Sequence, residues 1–285
     1  MRLAVSRISP LAFALCVSAC GAPVAPEPVD GGSDGAAIAD AGAIAPDCTG
    51  TFGTGAVVAP GVTAATSPAV TADELELFLG DGMSFAVVSR SALDRPFTSR
   101  RALLELDAAC PSSVGANRQI DVSADGLRVY FACGDGPGQL FSAHRSDRTS
   151  AFVVDGPIAD GVQLPAISSD ELAVLDGYGG APFRATRAAI GDSFPTLHIV
   201  AELAMAHVVA PSLSPDGLTL YAASAHTIVS YDRSSTSATF GTAATTLDVA
   251  PAGEELGSPE ISPSCRTLYF LGHDAMGTRV FAASR

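Results

Sequence analysis

The chain has 285 residues, 47% of them hydrophobic, which is enough to bury a sizeable core in one large domain or two small ones and excludes a wholly disordered protein. All 16 basic residues are arginine, set against 30 Asp plus Glu, and the net charge of −14 excludes a phosphate-binding surface and with it a nucleic-acid partner. Charged residues are only 16%, whereas 28 Gly and 19 Pro point to short strands and turns rather than long helices.

Residues 1–19 read as a secretory signal: Arg2 and Arg7, an apolar stretch from Leu11 to Val17, then Val17-Ser18-Ala19 before Cys20. The apolar stretch falls far short of the roughly 20 residues that span a bilayer. Small residues before a cysteine resemble a bacterial lipobox. That resemblance implies cleavage before Cys20, acylation of its sulfur and its amine, and, with Gly21 rather than Asp next, the outer membrane. Acyl chains in that number hold a protein on a membrane far more firmly than one chain does. Residues 20–47 carry the lipidated cysteine and an Ala/Pro/Gly/Asp segment with five acids and neither basic nor aromatic residues. Such a segment cannot bury a core, and the expectation is a disordered tether holding the domain at 48–285 on the order of 30 Å from the lipid.

Five copies of one unit follow. They read Thr71-Ala72-Asp73-Glu74-Leu75, Ser123-Ala124-Asp125-Gly126-Leu127, Ser168-Ser169-Asp170-Glu171-Leu172, Ser214-Pro215-Asp216-Gly217-Leu218 and Ser262-Pro263-Ser264-Cys265-Arg266. Each is a turn between a short apolar strand and a β-rich strand such as Val129–Ala132 or Leu268–Leu271, so each is a hairpin. The anchor residues 73, 125, 170, 216 and 264 lie 52, 45, 46 and 48 apart, the length of a four-stranded propeller blade. After a third strand comes an arginine with a phenylalanine seven residues on: Arg90 and Phe97, Arg145 and Phe152, Arg187 and Phe194, Arg233 and Phe240. The fifth arginine is Arg285, the last residue, and Phe52 supplies its phenylalanine from the other end of the domain. The N-terminal strand therefore completes the last blade, closing the ring and removing two sheet edges.

The S-P-D-G-x-x-L-Y-F strand with its later arginine and phenylalanine resembles the WD-like repeat of TolB-type bacterial envelope proteins over residues 52–285. The resemblance implies an all-β propeller. Five four-stranded blades are counted, against six plus an α/β domain in TolB itself; six blades is the alternative. In such blades the first and third turns share a face, so the repeat predicts in-blade ion pairs Asp73–Arg90, Asp125–Arg145, Asp170–Arg187 and Asp216–Arg233, with the aspartates also capping their turns. Four cysteines remain after Cys16 and Cys20, which allows three pairings. Blade topology selects Cys48–Cys265 and Cys110–Cys133, consistent with an oxidising compartment.

Enzyme motifs are absent: there is no G-x-S-x-G, H-E-x-x-H, P-loop or dinucleotide fingerprint, and neither a cofactor nor a metal is expected. Two weaker constellations remain. The innermost strand positions are Ala69, Asp121, Ala166, Ser212 and Glu260, so Asp121 and Glu260 could look into the axial channel as paired carboxylates of a glycosidase. On the second-turn face, Asp81, Asp135, Asp176, His226, His273 and Asp274 fall at comparable places and could ring a cation or a polar ligand, although Gly80-Asp81-Gly82 and Gly134-Asp135-Gly136 are also good turns in themselves. The resulting expectation is a non-catalytic, monomeric outer-membrane lipoprotein whose propeller binds an envelope protein or glycan. A hydrolase of the glycosidase or lactonase type is the competing class.

Overall fold

The computed structural model describes residues 48, 50–81, 84–110, 118–133, 138–177, 180–275 and 277–285. The signal segment, Cys20, the tether and Asp135 lie outside the described residues. Among the described residues no helix is long and apolar enough to cross a membrane.

Five four-stranded antiparallel sheets form the blades of a propeller. Blade 1 is β2 (Ala69–Val70), β3 (Glu76–Asp81), β4 (Ser84–Ser89) and β5 (Ser99–Ala102). Blade 2 is β6 (Arg118–Val122), β7 (Arg128–Cys133), β8 (Gly138–His144) and β9 (Val153–Val162). Blade 3 is β10 (Pro165–Ile167), β11 (Ala173–Asp176), β12 (Phe183–Thr186) and β13 (His198–Ile199). Blade 4 is β14 (Val209–Leu213), β15 (Thr219–Ser224), β16 (Thr227–Asp232) and β17 (Thr245–Leu247). Blade 5 is β18 (Glu255–Ile261), β19 (Thr267–Asp274), β20 (Gly277–Ser284) and, from the start of the domain, β1 (Ala56–Val57), whose residues lie opposite Ala282 and Phe281. A short helix α1 (Leu104–Asp107) and a 3-10 turn at Ala201–Leu203 follow blades 1 and 3.

The second strands read as unbroken apolar runs because a blade is buried on both faces. In β3, Leu77 and Leu79 pack toward blade 5 with Tyr269 and Leu271, while Phe78 packs toward blade 2 with Val129 and Phe131. The hydrophobic core is accordingly five separate clusters, one per seam, each holding one of the repeated phenylalanines.

The repeated turn is held by three recurring features. Glu74, Gly126, Glu171, Gly217 and Cys265 all have left-handed backbone, with φ of 56°, 76°, 59°, 69° and 58°. That conformation explains the glycines, which enter it without steric cost. Next, the hydroxyl of Thr71, Ser123, Ser168, Ser214 or Ser262 accepts from the N–H five residues on. Finally, the aspartate accepts from the N–H two residues on and from that hydroxyl. In blade 5 Ser264 takes the aspartate's place, accepting from the Arg266 N–H. Against the upward push of partial burial, these bonds hold the carboxyls of Asp73, Asp125 and Asp170 below the ordinary range.

The expected in-blade Asp–Arg pairs do not form. Instead the arginine Nε donates to the carbonyl of the left-handed residue: Arg90 to Glu74, Arg145 to Gly126, Arg187 to Glu171 and Arg233 to Gly217, at 2.7–2.9 Å. Asp73, Asp125, Asp170 and Asp216 are already occupied by their own turns, and Asp73 meets Arg148 of the next blade. Each guanidinium then lies over its phenylalanine ring, 4.4–4.8 Å from the centroid, including Arg285 over Phe52 across the closure.

Glu74 and Glu171 return something for their left-handed strain. Their carboxylates accept from buried Tyr269 and Tyr130 of the preceding blade, and those hydroxyls in turn accept from Arg90 and Arg187. Cys48 is bonded to Cys265, 217 residues away, and Cys110 to Cys133, 23 residues away. The first bond joins the start of the domain to blade 5's repeated turn, beside a closing strand of only two residues. By chain entropy, loops of these lengths stabilise by about 5 and about 3 kcal/mol, respectively.

Arg145, whose side chain has no solvent exposure, also donates to Glu76 at 2.6 Å. A double-mutant cycle on unfolding free energy is expected to couple Arg145→Ala with Glu76→Gln by at least about 1 kcal/mol. The same arginine should couple with Asp125→Asn by less than about 0.5 kcal/mol. Strong coupling to Asp125 would restore the ion pair.

Candidate functional site

The five inner strands β2, β6, β10, β14 and β18 surround the axis. Their polar side chains stitch blade to blade. Ser67 donates to the Ile120 carbonyl and accepts from its N–H. Asp121 accepts from the Ile167 N–H of blade 3 at 2.6 Å and from the Val122 N–H at 2.7 Å. Ser212 accepts from the Ile261 N–H of blade 5 at 3.1 Å and donates to Glu260 at 2.9 Å. Ser258 donates to the Thr66 carbonyl, joining blade 5 to blade 1.

Asp121 and Glu260 both line the two small cavities that remain on the axis. One, of about 20 Å³, is walled by Pro68, Pro165, Pro211 and Pro259 together with Ser67, Gln119 and Ser258. The other, of about 50 Å³, lies on the side of the repeated turns, against Ser168, Pro215 and Pro263. Burial pushes the Asp121 carboxyl up to about 6, the charge of Glu171 adding to the effect while the two N–H bonds oppose it. Burial and the charge of Asp121 push Glu260 well above the ordinary range, the Ser212 hydroxyl acting against them. Two carboxyls in one narrow space therefore retain a proton to higher pH than either would alone. Chemically this is an acid–base pair without room for a sugar ring, since small-molecule sites occupy about 300–1,000 Å³.

Among the described residues the second-turn face does not converge on one point. Asp81 pairs with Arg100 at 2.5 Å. Asp176, 2% exposed, accepts from the N–H groups of Gln163 and Leu164. His226 lies 3.2 Å from Glu255. His273 shares a hydrogen bond with Thr278, and Asp274 pairs with Arg279, which also meets Glu254. Each residue serves its own hairpin or its neighbour. Among the described residues no group of three or more His, Cys, Asp or Glu could hold a metal ion.

A larger space lies elsewhere, where sequence reading placed nothing. The seam between blades 4 and 5 opens into a cleft of about 400 Å³ lined by Phe52, Tyr221, Asp232, Thr245, Leu247 and Asp248, among others. Only the closing phenylalanine hinted at this place in the sequence.

No protein-family model matches the chain, and no curated protein does. Solved structures are similar in fold. TolB from Acinetobacter baumannii is 14% identical over 78% of this chain and 55% of its own, with a TM-score of 0.45. The PQQ-bound aldose sugar dehydrogenase from Streptomyces coelicolor is 10% identical over 84% of this chain and 99% of its own, with a TM-score of 0.50. A gluconolactonase from Xanthomonas campestris is 13% identical over 77% and 71%, with a TM-score of 0.45. The shared feature is the β-propeller. At these identities the likeness extends to the fold alone, and the chain spans about half of the TolB it matches.

The axial pair gives stability a definite pH dependence. Carboxyls raised in the folded state leave it most stable while they are protonated, and part of that stability is lost as pH rises through about 6 and beyond. Glu260→Gln keeps an acceptor for Ser212 and removes one charge. Its melting temperature should exceed that of the parent by several degrees at pH 8, with the difference shrinking below pH 5, in thermal unfolding followed by circular dichroism. A difference independent of pH would contradict the shared burial of the two charges.

Proposed function

We propose that the protein is a non-catalytic, lipid-anchored lipoprotein of the bacterial outer membrane, acting as a monomer, whose propeller is a binding platform for an envelope protein or glycan. The observation that carries this reading is the use of the axial acids. Asp121 and Glu260 are spent on bonds between blades and leave cavities of about 20 and 50 Å³, where a substrate would need several times that space. The repeated Asp, Ser, Arg and Phe residues are likewise consumed by turns and seams. The envelope location rests on the segment before Cys20 and on two disulfides, which persist in oxidising compartments. The domain itself needs no contact with the membrane, since a tether of residues 21–47 suffices.

One observation favours a second reading. A carboxylic acid kept protonated beside a carboxylate is the arrangement a propeller hydrolase of the glycosidase or lactonase type would use. That reading requires the axis to open, and it expects turnover of an aryl glycoside or an aldonolactone that Glu260→Gln abolishes.

The anchor is tested in cells producing the full chain. Radiolabelled palmitate should enter the protein and be lost in Cys20→Ser, and the labelled protein should sediment with outer membranes. Unlabelled protein released as a soluble species would remove the anchor. Retention of an envelope component on the immobilised domain, without hydrolysis of the two test substrates, is the outcome expected for the platform.

A further inference from the structure

In a ring of repeats the features common to all copies build the scaffold, and a feature confined to one copy is free for another purpose. The seams differ in how the repeated phenylalanine is held, and among the described residues one holds it on nothing. Four of the repeated phenylalanines secure their backbone N–H on the preceding blade. Phe97 donates to the Val58 carbonyl and Phe194 to the Ile158 carbonyl. Phe152 and Phe240 donate to the carboxylates of Glu105 and Glu202, carried on α1 and on the 3-10 turn, which also push Leu106 and Leu203 into their seams. The stretch that follows β17 has no such turn and buries only Val249, which accepts instead from Gly55. Among the described residues nothing accepts from the Phe52 N–H. The seam between blades 4 and 5 is left open, and its opening is the 400 Å³ cleft.

The wall is set by strand register. Tyr221, Ser230 and Thr245 lie opposite one another across β15, β16 and β17, so they share a face with Thr219 and Asp232 on one side and Leu247 on the other. The facing wall is the segment from Gly50 to Phe52, fixed at its start by the disulfide of Cys48. Half-buried Phe52, edge-on to Tyr221 at 6.3 Å, and Leu247 provide an apolar floor. Around it stand the hydroxyls of Ser230 and Thr245, the carboxylates of Asp248 and of Asp232, which already accepts from the Thr219 hydroxyl at 2.8 Å, and the Phe52 N–H, which has no acceptor among the described residues.

We propose that this open seam binds a neutral saccharide of one or two rings. The volume lies within the range of small-molecule sites. Sugar C–H faces meet the apolar floor, sugar hydroxyls donate to the two carboxylates, and a ring or hydroxyl oxygen accepts from Phe52. Two carboxylates on a chain of net charge −14 exclude phosphates and acidic sugars. The inference rests on the platform reading and gives that platform its ligand class and its place.

The test uses the oxidised domain with cellobiose, maltose and N,N′-diacetylchitobiose at millimolar concentration, read by saturation-transfer NMR and by amide shifts. At least one disaccharide should give transfer and move the Phe52 amide. Thr245→Trp, which fills the cleft from an exposed position, should weaken binding tenfold or more, while Met205→Trp, 85% exposed in the loop between the 3-10 turn and β14 and outside the cleft lining, should leave it unchanged. If Thr245→Trp fails to fold, Asp248→Ala on the exposed rim serves, with an expected loss of threefold or more. No transfer from any of the three sugars, or transfer that survives both cleft variants, overturns the proposal. Binding of a Lys-containing peptide at the Phe52 amide, with no sugar binding, overturns it in favour of a cationic partner. Retention of the same envelope component by wild type and Thr245→Trp would sink the cleft and leave the platform standing; no retention by wild type would sink the platform itself.

Discussion

Everything in this ring depends on an arginine that reaches back to a left-handed turn. In blades 1 to 4 its Nε takes the carbonyl of the left-handed residue, its outer nitrogens reach a loop carbonyl in blades 1, 2 and 3 and a tyrosine hydroxyl of the preceding blade in blades 1, 3 and 5, and in all five its flat face covers a phenylalanine. One side chain thus ties the first turn of a blade to its third and both to the neighbouring blade. A lysine could satisfy one of these partners but not the whole set, because only a planar guanidinium offers several donors in fixed directions together with a face that stacks. The absence of lysine from the chain does not follow from this, but the five placements of arginine do.

Because the repeat is fully used in building seams, it leaves function to the positions where symmetry fails. Two such positions stand out among the described residues. At the axis, acids occupy two of the five inner places and serine a third, and the acids are held by neighbouring N–H and hydroxyl groups in a space too narrow for a substrate. At the closure, the ring is joined by a strand of two residues and a disulfide, and the adjacent seam lacks the plug that a helical turn or a strand carbonyl provides elsewhere. The closure is both one of the ring's two-residue strand pairings and the edge of the 400 Å³ cleft. The disulfide therefore fixes the cleft wall as well as the ring.

The sequence made the blades legible because each turn needs particular letters: a hydroxyl, an acid and a residue able to adopt positive φ. Arg285 and Phe52 were readable as one split unit, since four intact copies set the spacing. What the arginine binds was not readable. Its partner is a backbone carbonyl, which every residue carries, and the nearby aspartates were a more visible but already occupied alternative. Glu74 and Glu171 looked like departures from glycine, and only the tyrosines of the preceding blade explain them. The cleft left no letters beyond the closing Phe52, because it arises from a helical turn and a bond that one seam omits. The ring of Asp81, Asp176, His226, His273 and Asp274 shows the opposite error, in which equivalent sequence positions engage local partners rather than meeting one another.

The most direct test of the arginine as the organising element compares Arg285→Ala with Arg187→Ala by denaturant unfolding and native-state hydrogen exchange. If the split unit closes the ring as the intact ones build it, both variants lower the global unfolding free energy by similar amounts, and exchange rises in all five blades. If Arg285→Ala quickens exchange only in β1 and β20 while the global transition stays in place, the closure is an ornament on a ring that holds without it.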